Sequence, residues 1–258
     1  MRIFAVGAAV LLQGLVSVIG LQAQENSRLD AILKAGKIKV CSPGDYKPFS
    51  LVKPDGSFEG IDIDLITSAA KALGVEVEMV KTTWSKLIDD YTAQCDVAVG
   101  GISVSTERAK RVGFTQAYMV NGKAPITRCE NVAKFQTVAD INKPNVTVIT
   151  NPGGSNERFV RANLQAAKVV VFNDNVTIFD EILKGNADVM ISESIETLVQ
   201  QKIRPGLCAV NPDKPLQYGE MGYILPRGDA AMKGWFDTWL HLAKASGEYD
   251  RIVEKWMK

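Results

Sequence analysis

The sequence predicts an α/β fold with two lobes, each built on a mainly parallel sheet with flanking helices. From residue 37 onward, short β-rich runs alternate with stretches that carry apolar residues at helical spacing, which is the pattern of βαβ units. A second series of such units begins after residue 121. The chain has 258 residues, of which 46% are hydrophobic and 23% charged, so it is an ordinary globular protein with room for two modest domains.

The first series contains three strands, a hairpin and two helices. The turn sequence Pro54-Asp55-Gly56 predicts the hairpin, and Gly74 ends the first helix. The predicted elements are a strand at 37–41, a hairpin of 49–52 and 57–59, a helix at 61–73, a strand at 75–80, a helix at 84–93 and a strand at 96–100.

The second series is longer, and the end of the chain is expected to return to the first sheet. Its elements are strands at 123–127 and 146–150, a helix at 155–164, a strand at 168–172, a helix at 176–183, a strand at 188–191, a helix at 194–203, a strand at 221–225 and helices at 229–245 and 249–256. The first series alone is short of a complete sheet, so the last strand and helices should complete it. This predicts a first lobe made of residues 24–118 and 219–258 and a second lobe made of residues 119–218. The chain would cross between the lobes twice, which makes a hinge with a cleft beside it.

Residues 1–23 are predicted to be a secretory signal peptide. Arg2 is followed by an uncharged apolar run over 3–21 and by Ala23, which is the order of features in such signals. A retained membrane anchor is the alternative, but Ala23 and the polar residues after it favour cleavage. We therefore expect an exported mature chain without stable membrane association.

Charge and metal-ligand patterns exclude two classes of partner. The chain has 30 Lys and Arg against 29 Asp and Glu, without a long run of like charges, which argues against a nucleic-acid partner. Cys and His residues lack metal-site spacing, and His241 lies in a predicted helix. We predict neither a metal nor a cofactor.

The 4 cysteines of an exported chain allow three disulfide pairings. Cys129 with Cys208 is the favoured pair, because both lie at the ends of apolar strands in the second lobe. Cys41 ends one strand and Cys95 begins another. If these strands are parallel neighbours, the two sulfurs lie at opposite ends, so we expect free buried thiols.

Ligands of open α/β sheets bind beyond the carboxyl ends of the strands, and one such segment carries Gly101, Ser103 and Arg108. The glycine allows close approach to the backbone. Ser103 and Arg108 can hold a carboxylate by hydrogen bonds, which predicts an anion site. A solvated arginine at a plain strand–turn–helix junction is the alternative.

A second segment follows the strand at 146–150. Gly153, Ser155 and Asn156 lie at a helix start that presents backbone donors, and Asn151 adds an amide at the end of the strand. This predicts a second group of donors across the cleft, although Pro-Gly-Gly is also typical of a simple turn.

A third segment places Glu193 and Glu196 three residues apart at a helix start, so they share one face and at least one should point into the cleft. Helix capping and compensation of the helix dipole are the alternative. Tyr46 and Trp84 are candidates for aromatic cleft walls or for core positions, and Phe49 is assigned to the core.

These residues, in this order, resemble the type II periplasmic solute-binding proteins of the polar amino-acid kind over the whole mature chain. The resemblance includes the sequence Tyr46-Lys47-Pro48-Phe49 after the first strand, residues 60–64 at the first helix, and the segments just described. It implies a two-lobed, type II periplasmic-binding-protein-like fold. It further implies that Ser103 and Arg108 hold an α-carboxylate and that Glu193 holds an α-ammonium.

Within that group the sequence is most similar to the family of periplasmic cyclohexadienyl dehydratases. The similarity implies that Glu196 is the general acid, that Asn151 and Lys123 are active-site polar residues, and that Cys129 and Cys208 match the disulfide of the family. Glu193 departs from the Asp expected at its position. The segments that carry the similarity are 44–50, 122–127, 151–154, 174–179, 195–196 and 207–210.

The implied activity is decarboxylating dehydration of prephenate to phenylpyruvate, of arogenate to phenylalanine, or of both. Loss of carbon dioxide and water makes an aromatic ring, so the enzyme has to supply a proton for the departing hydroxyl and donors for two carboxylates. A Glu can donate that proton near pH 7 only if burial raises its pKa. The alternative is a periplasmic amino-acid-binding protein of an ABC importer, with the same fold and anion site; the oligomeric state is left open.

Overall fold

The structure is a computed structural model, and it describes residues 27–258. The predicted signal peptide, residues 1–23, lies outside the described residues. In the described part of the chain, none of the helices combines the length and the apolar character needed to cross a membrane.

Strands and helices alternate along the chain as the sequence predicts, with shifted bounds and several additional short elements. The elements before residue 119 are α1 (Arg28–Ala35), β1 (Lys37–Ser42), β2 (Asp45–Tyr46), β3 (Ser50–Val52), β4 (Phe58–Glu59), α2 (Ile61–Leu73), β5 (Glu76–Lys81), α3 (Leu87–Gln94), β6 (Val97–Ala98), α4 (Thr106–Ala109) and β7 (Gly113–Phe114). Those that follow are β8 (Met119–Arg128), a 3-10 helix (Cys129–Lys134), α5 (Val138–Ile141), β9 (Thr147–Thr150), α6 (Ser155–Asn163), β10 (Lys168–Val171), α7 (Ile178–Leu183), β11 (Val189–Glu193), α8 (Ser194–Ile203), β12 (Leu207–Ala209), β13 (Gln217–Met221), β14 (Ile224–Leu225), α9 (Ala230–Ala245) and α10 (Glu248–Met257).

Within residues 27–258 the strands form two large sheets and one small one. The first large sheet has the order β5-β1-β6-β14-β7, so the late strand β14 does return to it. The second has the order β10-β9-β11-β8-β12, with β13 also paired to β8. The hairpin β3–β4 is present, and β2 pairs with β3 to make the small sheet. We call the elements around the first large sheet the first lobe and those around the second the second lobe.

Both large sheets are mixed, which corrects the expectation of mainly parallel sheets. The runs β5-β1-β6 and β10-β9-β11 are parallel. β14 is antiparallel to both of its neighbours, and β8 is antiparallel to β11, β12 and β13. β8 has 10 residues, and the chain runs back along it first as β12 and then as β13. These strands are antiparallel to β8 because the chain turns back along it, whereas a βαβ crossover would have made them parallel.

Each large sheet buries its own apolar residues. In the first lobe, Val40, Ile66 and Phe236 belong to one buried cluster, and in the second lobe Val148 and Ile191 belong to another. β8 and β13 run side by side between the lobes, from the Met119–Met221 pair to the Lys123–Gln217 pair. The exact division of the chain at residues 118/119 and 218/219 stays a prediction.

The chain contains two disulfides, and one of them overturns an expectation. Cys129 pairs with Cys208, as the family resemblance implies. Cys41 and Cys95 also pair, with Cα atoms 5.8 Å apart, so the expectation of free thiols is wrong. The error lies in the strand boundary. β6 begins only at Val97, so Cys95 is the C-cap residue of α3 and lies beside β1.

Candidate active site

The strand-end segments meet between the two lobes and enclose a small cavity, which we call the inner pocket. Its volume is about 20 Å³, room for about one water molecule and too little for a six-membered carbon ring. A ring-shaped ligand therefore requires the lobes or the pocket side chains to move. The pocket is lined by Tyr46, Trp84, Gly101, Asn151, Gly154, Ser155, Asn156, Asn175 and Glu193.

Most of the residues predicted from the sequence lie in this lining or contact it. Asn175 was missed as a site residue, although it follows the end of β10 and so obeys the rule that found the others. Its amide nitrogen donates across the cleft to the main-chain oxygen of Asp45 at 3.2 Å. Helix α3 begins later than predicted, and this leaves Trp84 in the preceding loop, where it forms a pocket wall.

Glu196 lies in the first turn of α8 and is 1% exposed. Ser192 Oγ donates a hydrogen bond to its carboxyl, and Asn156 Nδ2 donates to Ser192 Oγ at 3.3 Å. Burial raises the pKa of Glu196 to about 8, and the nearby carboxylates of Asp45 and Glu193 add to the increase. Within residues 27–258 it has no ion-pair partner. Glu196 therefore holds its proton at neutral pH.

Lys123 and Glu193 form a buried ion pair, with Nζ and Oε1 2.6 Å apart. The pair follows from sheet register, because the two residues are direct partners across β8 and β11. Lys123 Nζ also donates to Ser155 Oγ at 2.8 Å and to Asn156 Oδ1 at 2.5 Å. Burial tends to raise the pKa of Glu193, but Lys123 and the hydrogen bonds outweigh it, and the pKa is lowered. Glu193 is thus ionised, and its ammonium partner in this structure is Lys123.

Arg108 is a buried cation at 6% exposure. Its Nη1 donates to the main-chain oxygen of Ser103 at 2.7 Å. Burial lowers the pKa of Arg108 to about 10, and in the described part of the chain it pairs with no carboxylate. A buried guanidinium without an acidic partner is costly unless an anion compensates it. The anion site that the sequence predicts at Arg108 stays a prediction.

The two lobes touch at predicted site residues. Ser103 Oγ of the first lobe lies 3.0 Å from Ser155 Oγ and donates to Glu193 Oε1 at 2.7 Å. Gly153, at φ 80°, packs so closely on the first lobe that an added Cβ would lie 2.6 Å from Cα of Ser85. The cleft is therefore closed.

Tyr46 and Trp84 form the aromatic wall, with ring centroids 5.7 Å apart in an edge-on arrangement. Trp84 Nε1 donates to Asp45 Oδ1 at 2.9 Å, which fixes the indole. Gly101, at φ 70°, lies against Tyr46, where an added Cβ would come within 2.4 Å of the ring. Phe49 is fully buried and belongs to the core, as predicted.

Two hydrogen-bonding groups and one backbone loop complete the site. The hydroxyl of Tyr46 and the amide oxygen of Asn151 are buried without a partner among residues 27–258, so they are free for a polar ligand. Asp62 accepts hydrogen bonds from the backbone N–H groups of Gly100 and Gly101, both at 2.7 Å. It thereby holds the loop that forms one pocket wall. Across the described residues, acidic, His and Cys side chains do not gather in threes as a metal site requires.

The site thus has an aromatic wall in a cleft between two lobes, with a neutral carboxylic acid and a buried cation behind the pocket lining. Residues 38–258 match the bacterial extracellular solute-binding proteins, family 3, and the chain belongs to that family. The predicted α/β class and type II fold are confirmed by this match and by the solved structures below.

Among curated relatives, the cyclohexadienyl dehydratase of Pseudomonas aeruginosa is 44% identical over 245 residues, which cover 95% of this chain and 91% of that protein. The L-cystine-binding protein of Escherichia coli K12 is 24% identical, over 88% of this chain and 85% of that protein. An ancestral amino-acid-binding protein, described as a precursor of cyclohexadienyl dehydratase, has a TM-score of 0.83 at 34% identity, over 90% of this chain and 100% of its own. An ancestral cyclohexadienyl dehydratase has 46% identity and a TM-score of 0.57, over 90% of this chain and 97% of its own. The similarity to cyclohexadienyl dehydratase that the sequence motifs indicate is confirmed.

Proposed function

We propose that this chain is a periplasmic cyclohexadienyl dehydratase, which converts prephenate to phenylpyruvate, arogenate to phenylalanine, or both. The observation that carries the proposal is the buried Glu196, which is linked by hydrogen bonds through Ser192 to Asn156 of the pocket lining and whose pKa of about 8 keeps it protonated at neutral pH. The identity of 44% to a dehydratase supports it. The proposal includes removal of residues 1–23 during export.

In the proposed reaction, Glu196 donates its proton to the 4-hydroxyl as the carbon–oxygen bond breaks, and water leaves. The bond between the ring and its carboxylate breaks at the same time, carbon dioxide leaves, and its electron pair enters the ring. Glu196 is left as a carboxylate and recovers a proton from solvent after the lobes open. Aromatisation supplies the driving force.

The remaining residues bind and orient the substrate. Arg108 and Ser103 hold a carboxylate, and the Lys123–Glu193 pair with Asn151 supplies further polar contacts in the closed cleft. Tyr46 and Trp84 pack on the ring. Closure between the lobes excludes water, which strengthens these contacts and keeps Glu196 neutral.

The direct test mixes the purified protein with prephenate and follows the absorbance of phenylpyruvate in alkali. Wild-type turnover is expected, and Glu196→Gln should lower kcat at least about 100-fold with KM little changed. Glu130→Gln, at an exposed ion pair of the second lobe, is the control and should keep full activity. Near-normal turnover by Glu196→Gln would refute the role of Glu196.

The alternative function is capture of an amino acid for an importer. The buried Arg108 and the similarity to amino-acid-binding proteins favour it. A thermal-shift screen with amino acids separates the two functions. A wild type without prephenate turnover, but with a raised Tm in the presence of an amino acid, would favour the binding protein.

A further inference from the structure

A second cavity lies against the closed cleft, and we call it the outer cavity. It has a volume of about 230 Å³ and is lined by, among others, Ser105, Lys123, Ser155, Arg158 and Tyr218. Ser155 belongs also to the lining of the inner pocket. Glu193 is likewise shared by the two linings, and both residues contact Ser103 of the first lobe.

Arg158 provides a positive charge at this cavity that has no ion-pair partner among the described residues. It lies in α6, and its exposed side chain makes no hydrogen bond or ion pair within the part of the chain that the structure describes. The nearest acids have other partners. Glu157 accepts from Arg161 at 2.6 Å and from the N–H of Gly153 at 2.6 Å, and the exposed Glu107 pairs with a lysine of its own segment.

The surroundings of Arg158 carry an excess of positive charge. Arg108 and Lys123 lie close enough that the charge of Arg158 contributes to lowering the pKa of each, after the larger effect of burial. Glu193, the acid in the cavity lining, already forms an ion pair with Lys123. The lining therefore contains two cations, Lys123 and Arg158, and one carboxylate, and Arg108 lies close behind it, so the outer cavity attracts anions.

The difference in size between the two cavities indicates a role for the charge of Arg158. The inner pocket is too small to admit a substrate while the lobes are closed, whereas the outer cavity is more than ten times larger and carries the free guanidinium. A substrate that reaches the closed protein can therefore contact Arg158 before it contacts Arg108.

We propose that the outer cavity is a capture site for a carboxylate of the incoming substrate, with Arg158 as its first contact. The substrate waits there until the contacts of Ser103 with Ser155 and Glu193 break and the cleft opens. This inference rests on the proposed function, because prephenate carries two carboxylates.

The test is the association rate constant of prephenate, measured by stopped-flow intrinsic tryptophan fluorescence, to which Trp84 in the lining of the inner pocket contributes. A Glu196→Gln background prevents turnover during the measurement. Adding Arg158→Gln should lower the association rate constant about 3- to 10-fold at low ionic strength, and the difference should shrink in high salt. Arg158→Lys should retain most of the rate.

Arg161→Gln is the matched control, since it removes the same charge from the next turn of the same helix but from a residue committed to Glu157. An unchanged association rate in Arg158→Gln, or an equal loss in Arg161→Gln, would overturn the capture site. Absence of turnover in the wild type, with association still dependent on Arg158, would contradict the proposed reaction and leave the capture site standing.

Discussion

The buried proton of Glu196 should be visible in the stability of the protein before any substrate is added. The carboxyl has a pKa of 4.5 in its ordinary environment and of about 8 in the folded protein. Between these two values the folded state binds one more proton than the unfolded state, so the free energy of unfolding falls as pH rises. Below pH 4.5 both states are protonated, and above pH 8 neither is.

Replacing Glu196 by Gln removes this dependence, because the amide is neutral at every pH and can still accept the hydrogen bond from Ser192. Each pH unit inside the window is worth about 1.4 kcal/mol. From pH 5 to pH 7.5, the stability of Glu196→Gln relative to wild type should therefore rise by about 3 kcal/mol. The inactive variant is expected to be the more stable protein at neutral pH.

Urea unfolding of both proteins at pH 5 and pH 7.5, with the disulfides intact, measures this change. Asp45 and Asp62 also have pKa values raised by burial, to about 6, but they titrate in both proteins and largely cancel in the difference. A stability difference that is the same at both pH values would refute a raised pKa at Glu196.

Three further variants test the rest of the site. Arg108→Met should weaken prephenate binding by about 2 to 4 kcal/mol with kcat less affected; an unchanged KM would exclude Arg108 as the anchor. Gly153→Ala would place a Cβ 2.6 Å from Cα of Ser85 and so push the lobes apart. Small-angle scattering should then show a larger radius of gyration, and kcat/KM should fall about 10-fold or more. An unchanged radius of gyration would contradict that contact. Lys123→Met leaves Glu193 buried without its partner and should destabilise the protein by about 3 to 5 kcal/mol. Adding Glu193→Gln should restore most of this stability in urea unfolding, and no recovery would show that the ion pair is not the cause.

Local sequence patterns were enough to predict most elements, because each depends on residues close together in the chain. Helix α8 has the predicted bounds, Ser194–Ile203, and β3–β4 forms at its turn sequence. Pairing direction depends on where distant segments return, so the antiparallel partners of β8 were not predicted. The Cys41–Cys95 disulfide was missed because Cys95 was assigned to the start of a strand, whereas it caps the end of α3 and β6 begins at Val97.

In the candidate site, too, the features set by neighbouring residues could be predicted, and those set by contacts between distant segments could not. The rule that ligands bind beyond strand ends located Gly101, Asn151 and Glu193 from the sequence alone, and it would also have found Asn175. The pairing of Glu193 with a lysine could not be read in this way, because it depends on the register of β8 against β11. Burial of a side chain, and hence its pKa, is likewise a property of the folded chain.

The most direct measurement is a titration of the Glu196 side chain itself. In protein labelled with carbon-13 at the glutamate δ-carboxyl, the signal that disappears in Glu196→Gln belongs to this residue, and its chemical shift reports protonation as pH is raised. We expect a midpoint near pH 8, from the pKa of about 8. A midpoint near the ordinary value of 4.5 would mean that the acid is ionised at neutral pH and cannot protonate a leaving hydroxyl.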